Sequence, residues 1–348
     1  MTEPLLVRAC RREPVERTPV WFMRQAGRCL AEYRELRERY GILEIARTPE
    51  LSARVTAMPV QRLGVDAAVL YADIMLPLDG MGVAFRIQPD LGPIVDRPIR
   101  TAADVEALRI VDAEEATPYL FETIRGLRTT LDPDVALIGF GGGPFTLASY
   151  LVEGRPSRDL PLTKAMLFGA PELWHRLMEV LTEVLVRYLR AQVRAGAQTI
   201  QLFDSWAGAL APDDYERSVL PYTRRIFEAL GTAVPRIHFG TATSELLGLM
   251  ASVPCEVVSV DWRIPLDRAW ERIGDRAIQG NLDPGACLAP FEIAAKHAED
   301  VLRRAGGRPG HVFNLGHGVL PETDADALAR IVELVRERTS QPTAALVS

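Results

Sequence analysis

Two arginines flank a short glycine-containing stretch near the start of the chain. Arg24 and Arg28 are separated by Gln25, Ala26 and Gly27, directly after a run of apolar residues. Two guanidinium groups at this spacing suit bidentate capture of carboxylate or phosphate groups. The structural alternative is a pair of ordinary surface salt bridges, which contribute little to stability. The pattern therefore predicts either an anion-binding loop or two exposed ion pairs.

Asp73 follows an otherwise apolar run, residues 67–72. A carboxylate at the end of a buried strand is poorly hydrated, so we expect its pKa to be perturbed. Such a group can accept hydrogen bonds from N–H groups or stabilise a cation that forms during a reaction. The structural alternatives are a helix N-cap and an ion pair with an arginine.

Further polar residues follow other apolar runs, namely Tyr150, Ser205, His238 and His317. A histidine in such a place is either catalytic or a hydrogen-bonded packing residue, and the sequence leaves both open. Ser205 lacks the G-x-S-x-G pattern of a hydrolase nucleophile. The histidines and cysteines lack the H-x-C spacing of a zinc site, so neither a serine hydrolase nor a zinc enzyme is predicted.

Eight short apolar runs are predicted to be the strands that position these residues. Most are rich in Val, Ile, Leu or Phe and bounded by Gly, Pro or Asp, as is typical of buried parallel strands. They cover residues 20–23, 67–71, 135–140, 199–203, 236–239, 257–260, 277–279 and 311–315. Amphipathic segments between them predict helices, most clearly over 171–195 and also over 50–63 and 322–338.

Strands that alternate with helices, with no linker between them, predict a single α/β domain over residues 1–348, with a barrel core at about 15–340. An open nucleotide-binding sheet should show G-x-G-x-x-G after its first strand. The glycine cluster at 139–143 fails that spacing because Pro144 follows it. We therefore predict a (β/α)8 TIM barrel, whose active site lies at the carboxyl ends of the strands, where the candidate residues fall.

The composition narrows the classes of function. The 348 residues include 40 Lys and Arg and 46 Asp and Glu, for a formal charge of −6, which argues against general attraction to nucleic acid or an anionic membrane. No apolar run is long enough to predict a membrane span. Only Lys164 and Lys296 are lysines, which limits Schiff-base chemistry to two residues. Four scattered cysteines indicate reduced thiols and a cytoplasmic protein.

Several motifs, taken in order along nearly the whole chain, resemble those of the uroporphyrinogen decarboxylase family. The most specific is R-Q-A-G-R at 24–28, within P-V-W-F-M-R-Q-A-G-R. The others are D-I at 73–74, G-F at 139–140, Y-L-V-E-G at 150–154, Q-L-F-D-S-W-A-G at 201–208, G-N-L-D-P at 280–284 and N-L-G-H-G at 314–318. Two positions depart from the family pattern: Cys29 stands where an aromatic residue commonly follows the loop, and Tyr71-Ala72 replaces the more usual Phe-Ser.

The resemblance implies a homodimeric barrel enzyme that uses neither a metal nor an organic cofactor. The implied reaction removes carbon dioxide from the four acetate side chains of uroporphyrinogen III, which leaves methyl groups and gives coproporphyrinogen III. The family's substrate-binding residues correspond to Arg24, Gln25, Ala26, Gly27, Arg28, Asp73, Tyr150, Ser205 and His317. Among them the resemblance assigns catalysis to Asp73, Arg24 and Arg28.

The chemistry of that substrate fits these residue types. Its eight carboxylates call for guanidinium groups, and its inward-facing pyrrole N–H groups call for one acceptor, which Asp73 can provide. Decarboxylation requires a protonated, cationic ring, which an ionised Asp73 would stabilise. The proton donor stays open: arginine is a poor acid, whereas Tyr150 and His317 are chemically easier donors that could instead hold a propionate.

Two rival functions use the same barrel. A corrinoid-dependent methyltransferase would need zinc ligands, typically H-x-C with a distant cysteine, but His238 is followed by Phe239 and Gly240. A non-catalytic tetrapyrrole-binding protein would have no need of Asp73 beside both loop arginines. The sequence therefore favours the decarboxylase.

Overall fold

The computed structural model of the chain describes residues 3–27, 29–89 and 91–340. Its main sheet consists of parallel strands, and each strand pairs with the next one along the chain. These strands are β1 (Ala67–Val69), β4 (Ala136–Gly142), β5 (Thr199–Asp204), β6 (Arg236–Gly240), β7 (Val257–Ser259), β8 (Ala277–Gln279) and β9 (His311–Val312). A separate antiparallel hairpin is formed by β2 (Phe85–Gln88) and β3 (Gly92–Val95).

Helices fill the connections between the strands, as crossovers in a parallel sheet require. In the described residues the first nine are α1 (Leu5–Cys10), α2 (Ala31–Arg39), α3 (Ile42–Arg47), α4 (Pro49–Leu63), α5 (Pro77–Gly80), α6 (Ala102–Glu106), α7 (Ala113–Ala116), α8 (Pro118–Thr130) and α9 (Pro144–Glu153). The later ones are α10 (Pro161–Gly169), α11 (Pro171–Ala195), α12 (Pro212–Ser218), α13 (Leu220–Leu230), α14 (Leu247–Ser252), α15 (Leu266–Ile273), α16 (Phe291–Ala305) and α17 (Ala325–Thr339). Single 3₁₀ turns lie at Ala207–Ala209, Ser244–Leu246 and Pro284–Leu288.

The segment before the arginine loop closes the sheet into a barrel. On one side, Phe313 donates its backbone N–H to the Pro19 carbonyl (2.9 Å) and accepts from the Trp21 N–H (3.3 Å). On the other side, the Asp66 N–H donates to the Val20 carbonyl (2.8 Å). This segment therefore lies between the last and first strands of the sheet, and the predicted (β/α)8 barrel is confirmed.

A buried carboxylate fixes that closure. Asp66 accepts the backbone N–H of Val20 at 2.8 Å and two N–H groups of the Arg17 guanidinium at 2.6 and 2.8 Å. Arg336, near the end of the last helix, also donates to it at 3.3 Å. Asp66 directly precedes β1, and its carboxylate binds Val20 of the closing segment and Arg336 of α17. It therefore ties the two ends of the chain together.

Hydrogen-bonded polar groups lie buried within the barrel. The Trp21 indole donates to the side-chain Oε1 atom of Gln279 at 2.9 Å, and the Gln279 Nε2 atom donates to the side-chain oxygens of Gln201 (3.0 Å) and Ser259 (2.8 Å). All four side chains are buried. Because polar groups in a barrel interior have little access to water, these contacts supply their partners from within the barrel. The Gln201 Nε2 atom alone among these side chains has no hydrogen-bond partner in the described residues.

Most of the predicted elements are present with small shifts at their ends. The helix over 171–195 is confirmed as α11, and Gly196 ends it with a φ of 122°. The helix predicted over 322–338 begins three residues later, because the Asp324 side chain caps it by accepting the Asp326 N–H (3.0 Å). The strand predicted over 20–23 is wrong in extent: only Val20 pairs, and the Met23 N–H bonds the Asn314 side chain (3.0 Å) as the chain turns away.

Two further expectations concern the chain as a whole. The predicted domain extent, residues 1–348 with a core at about 15–340, includes residues outside the described ranges and stays a prediction. None of the helices named above combines the length and the apolar composition that crossing a bilayer requires.

Removal of the Asp66 carboxylate should destabilise the barrel. The substitution Asp66→Ala leaves the Arg17 guanidinium and the Val20 N–H without their acceptor, so we expect the free energy of unfolding to fall by about 3 kcal/mol. Urea denaturation followed by circular dichroism measures this change. As a control, Glu245→Ala removes the exposed partner of Arg272 and should cost less than about 1 kcal/mol. Equal losses in the two variants would contradict this role of Asp66.

Candidate active site

Candidate residues within the described ranges gather at the carboxyl end of the barrel, and contacts link the segments that carry them. Arg24 lies against Gly318 of the last loop, and Asp73 lies within electrostatic reach of Arg24 and Tyr150. Tyr150 in turn stacks on Trp206, in the loop after β5. Five segments that are distant in the sequence therefore form one continuous site.

The arginine loop is held from below by Gln25. The Gln25 side-chain oxygen accepts the Phe22 N–H (2.9 Å), and its amide donates to the Ala67 carbonyl in β1 (2.8 Å). The side chain is fully buried. The structure therefore directs this amide into the barrel wall, where it fixes the loop, and not toward the open end where a ligand would bind.

The rest of the loop is accessible in different degrees. Ala26 is half-buried, whereas Gly27 lies against the Tyr33 ring. Arg28 lies outside the residues that the structure describes. Of the two arginines predicted to bind anions, the structure therefore describes Arg24.

Arg24 is exposed and holds an unusual backbone conformation. Its φ is 60°, in the left-handed region that non-glycine residues seldom adopt. The aliphatic part of its side chain lies on Gly318, where an added Cβ would come within 2.5 Å of the Arg24 Cδ atom. Such strain persists only where the surrounding structure enforces it, and it is concentrated at functional sites. Position 318 is therefore a glycine because any larger residue would collide with the Arg24 side chain.

Asp73 is half-buried, and it accepts the backbone N–H of Met75 at 2.9 Å. Loss of hydration raises the pKa of Asp73 above the usual range of an aspartate, while the Met75 N–H and the Arg24 guanidinium act to lower it. The perturbed carboxylate that the sequence predicts is thus present. The site combines one acidic group with a nearby cation, as recognition of N–H groups and carboxylates together would require.

Helix α4 and two tyrosines fix the strand end that precedes Asp73. Tyr71 donates its N–H to the Thr56 hydroxyl and accepts the Ser52 hydroxyl at its carbonyl, both at 2.8 Å. Its phenol oxygen lies 2.9 Å from that of Tyr33. Because Tyr33 also lies against Gly27 of the arginine loop, this buried aromatic pair connects that loop with the strand end that precedes Asp73.

Tyr150 lies on α9 and faces the same site. Burial raises the pKa of its phenol to about 12; the charge of Asp73 acts in the same direction and that of Arg24 opposes it. Its ring stacks on Trp206 with a centroid distance of 4.2 Å and an angle of 33° between the planes. A phenol with this pKa keeps its proton at neutral pH and is therefore available as a hydrogen-bond donor.

Ser205 and His317 are half-buried in the loops beside these groups. The Ser205 carbonyl accepts the Thr241 hydroxyl, which joins the loops after β5 and β6. The His317 ring lies 6.2 Å from the ring of Phe239. Both residues therefore border the open end of the barrel, as their sequence positions indicate.

His238 does not belong to the site. It is fully buried within β6, where its Nδ1 atom lies 3.3 Å from the Met250 carbonyl and its ring packs on Phe227. Burial lowers the pKa of its imidazole to about 4, so it is neutral at physiological pH. Of the two readings that the sequence left open, the structure favours the packing residue.

Sequence reasoning missed the aromatic wall of the site. Trp206 belongs to the motif Q-L-F-D-S-W-A-G at 201–208, but its residue type and position did not make it a candidate. An aromatic residue shortly after a strand end is a usable signal, because ligand pockets are lined predominantly by hydrophobic and aromatic side chains. Asp204 and Thr146 were also missed, since their contact joins residues 58 positions apart.

A separate cavity lies at the opposite end of the barrel. It has a volume of about 710 Å³ and is lined by Arg17, Arg308 and His311 among others. In this architecture chemistry is placed at the carboxyl ends of the strands, whereas the amino ends serve stability. The convergent polar groups, rather than the volume of a cavity, therefore identify the candidate active site.

Comparison with known proteins agrees with this site. The sequence model of the family described as uroporphyrinogen decarboxylase (URO-D) matches residues 1–338. A protein named uroporphyrinogen decarboxylase from Carboxydothermus hydrogenoformans is 50% identical over 336 residues, which cover 96% of each chain. One of the same name from Sorangium cellulosum is 53% identical over 331 residues, which cover 94% of this chain and 95% of that one.

A solved structure shares the fold. A methyltransferase from Methanosarcina mazei superposes on 97% of this chain and 99% of its own, with a TM-score of 0.78 and 22% sequence identity. At that identity the likeness shows the barrel alone, whereas the sequence matches extend over nearly the full length at about half identity. The chain belongs to the uroporphyrinogen decarboxylase family.

Proposed function

We propose that this chain is a carboxy-lyase that works without a metal or organic cofactor and converts the four acetate side chains of uroporphyrinogen III to methyl groups, giving coproporphyrinogen III. The observation that carries the proposal is the Asp73 carboxylate, set at the carboxyl end of the barrel within reach of the charge of Arg24 and the phenol of Tyr150. Family membership supports the same reaction.

Substrate binding is assigned to the arginine loop and its neighbours. Arg24 and Arg28 bind carboxylates of the substrate, because guanidinium groups match carboxylates bidentately. Ser205 and His317 border the pocket and are assigned to the remaining acetate and propionate groups. Gln25 is assigned to the loop's position and not to a direct contact, since both of its polar atoms bond the backbone.

Asp73 serves the chemical step by electrostatics. It accepts the pyrrole N–H groups, and its negative charge favours protonation of the pyrrole ring that carries the acetate. In that cationic ring the electron pair of the breaking C–CO₂ bond passes into the ring, carbon dioxide leaves, and an exocyclic methylene remains. A proton then adds to the methylene carbon to complete the methyl group, and the proton first added to the ring is released, so that each decarboxylation takes up one proton in total. The same carboxylate can act on each pyrrole in turn because all four N–H groups face the centre of the macrocycle.

Tyr150 is assigned the role of a hydrogen-bond donor. General acids work best with a pKa near the operating pH, and the pKa of Tyr150 is about 12. The phenol is therefore better suited to hold a substrate carboxylate than to deliver the proton. The same reasoning disfavours the loop arginines, which hold their protons at least as tightly, so His317 remains the candidate for the proton donor.

The methyltransferase alternative lacks support from the residues of this chain. Its zinc would need a cysteine two residues after the histidine, but Gly240 stands there, and His238 is buried against Phe227. Within the described ranges, His, Cys, Asp and Glu side chains form no group of three or more that could hold a metal ion.

We also infer that the enzyme is cytoplasmic and homodimeric. All four cysteines are buried thiols with no disulfide between them, as expected in a reducing compartment, and the family resemblance implies the dimer. Light scattering coupled to gel filtration tests the dimer directly. A mass equal to one chain at micromolar concentration would contradict it.

The proposed reaction is tested by anaerobic incubation of the purified protein with uroporphyrinogen III, without added metal or cofactor. Products are oxidised and separated by the number of carboxylates they retain. We expect stepwise loss of four carboxyl groups, and the absence of any decarboxylated product would overturn the proposal.

Asp73→Asn should abolish most of the activity, and the remaining activity should no longer fall as Asp73 would become protonated at low pH. Burial raises the pKa of Asp73, so the parent enzyme should lose kcat/KM as the pH falls through a value above the ordinary aspartate range. Asparagine keeps the shape but not the charge, so we expect kcat to fall roughly 100-fold or more while KM changes little. The pH profiles of both proteins with uroporphyrinogen III check this, and a near-parental kcat in the variant would show that the charge is not used.

The same substitution should stabilise the fold. A raised carboxyl pKa means that the native state binds the proton more tightly than the unfolded chain does, so this stabilising contribution is lost as the pH rises through that pKa. At pH 7 Asp73→Asn removes the unfavourable charge, and its Tm should exceed that of the parent. Asp300 is the matched control: Arg304 and Arg303 lower its pKa, so Asp300→Asn should lower Tm. A decrease in both would refute the assignment.

Displacement of the Arg24 side chain should weaken substrate binding. Arg24→Ala removes a carboxylate contact, and we expect KM to rise roughly 10-fold, equivalent to about 1.4 kcal/mol. Gly318→Ala keeps the arginine at position 24 but puts a Cβ within 2.5 Å of its side chain, which must move. KM should therefore rise in this variant too. Gly248→Ala, at an open glycine in α14, is the control. An unchanged KM in both site variants would remove the carboxylate clamp.

A further inference from the structure

Helix α9, which carries Tyr150, begins without a capping side chain of its own. Its N-cap residue is Gly143, and no side chain of the cap residue accepts a hydrogen bond from the first turn. Helices usually place Ser, Thr, Asp or Asn at this position, because a side-chain oxygen there satisfies the free N–H groups of the first turn.

Asp204, the last residue of β5, takes over this task from the neighbouring strand. Its Oδ1 atom accepts the hydroxyl of Thr146, the third residue of the helix, at 2.9 Å, and the Thr146 backbone N–H also acts on the carboxylate. A Cβ at Gly143 would come within 2.6 Å of the Asp204 Cγ atom. Glycine at the N-cap is therefore the residue that lets the strand's carboxylate reach the helix.

Thr146 and Tyr150 are four residues apart on α9, so they lie on the same face of the helix. The contact with Asp204 therefore fixes the turn of the helix directly before the tyrosine. A rotation of the first turn about the helix axis would carry the phenol with it.

A second contact approaches the tyrosine from the other side. The Thr146 hydroxyl oxygen accepts the Trp206 backbone N–H at 3.3 Å, and the Trp206 ring stacks on Tyr150 at 4.2 Å. The single hydroxyl of Thr146 thus joins Asp204 to the loop that supplies the stacking ring. Both the backbone and the ring face of Tyr150 are tied to one buried carboxylate.

The Asp204 carboxylate lies in an environment that is unfavourable for its charged form. Asp204 is fully buried, and its Oδ2 atom has no hydrogen-bond partner within the described chain. Burial raises the pKa of Asp204 to about 6, while the two groups of Thr146 act to lower it. The phenol of Tyr215 also lies close enough for the carboxylate to raise the pKa of that tyrosine. A buried, half-satisfied carboxylate costs stability, which points to a role in the neighbouring site.

We propose that Asp204 is a positioning residue that acts through Thr146 and Trp206 to hold the Tyr150 phenol in the active site. The inference rests on the proposed function, because that function gives Tyr150 its contact with the substrate. It concerns the placement of the phenol and assigns to Asp204 no contact with the reacting atoms.

The test is a double-mutant cycle between Thr146 and Tyr150. Thr146→Val keeps the shape of the side chain but removes both hydrogen bonds, and we expect kcat/KM for uroporphyrinogen III to fall about 10-fold through misplacement of the phenol. In a Tyr150→Phe background the same substitution should change kcat/KM by less than about 2-fold, because the phenol on which it acts is gone. An equal loss in both backgrounds would overturn the proposal.

Two matched variants separate positioning from general damage. Thr146→Ser keeps the hydroxyl and should restore activity to within about 2-fold of the parent. Thr182→Val removes a buried threonine hydroxyl from α11, where it bonds the Met178 carbonyl away from the site, and kcat/KM should not change. Asp204→Leu should reproduce the loss seen in Thr146→Val, and if it fails to fold, Thr146→Val decides alone.

A spectroscopic measurement keeps the test independent of turnover. The difference in near-UV circular dichroism between the parent and Tyr150→Phe reports the stacked pair of Tyr150 and Trp206. We expect this difference to shrink in the Thr146→Val background and to persist in the Thr146→Ser background. If the parent does not decarboxylate uroporphyrinogen III, the proposed function fails, but this signal still decides the positioning role. An undiminished difference with Thr146→Val would refute it.

Discussion

An ionised carboxylate is stable where water or a cation compensates its charge, and at Asp73 burial removes part of that water. Burial raises its pKa, and the Arg24 guanidinium and the Met75 N–H offset only part of that change. In the reaction that we propose, a cationic pyrrole ring placed nearby supplies the missing compensation, and this is the role that we assign to Asp73. The surrounding structure keeps this carboxylate partly dehydrated, fixed and close to the arginine loop.

A closed barrel meets that requirement because it brings distant loops to one rim. Asp66 ties the segment around Val20 to β1 and to α17. The arginine loop and the His317 loop therefore become neighbours. Gln25 then fixes the arginine loop to the barrel wall. Hydrogen bonds beneath the rim thus hold the charged groups above it, which lets the site keep its geometry before the substrate arrives.

Much of the site was predictable because its chemistry depends on residue type. The sequence alone shows two arginines beside a glycine, an aspartate after an apolar run and a histidine between two glycines. The positions of Gln25 and Asp204 were not predictable in this way. Each carries polar atoms that suit a ligand equally well, and only the partners supplied by other segments show that they bind the protein itself.

The sequence by itself determined the alternation of strands and helices, the fold class, the family and the group of candidate residues, because these follow from local periodicity and from motifs along the chain. Only the tertiary structure decided which candidates meet. It separated His238 from the site, placed Arg24 on Gly318 and set Trp206 against Tyr150. The physical reason is that burial, packing and pKa depend on atoms distant in sequence, and the closure of the barrel determines which atoms those are.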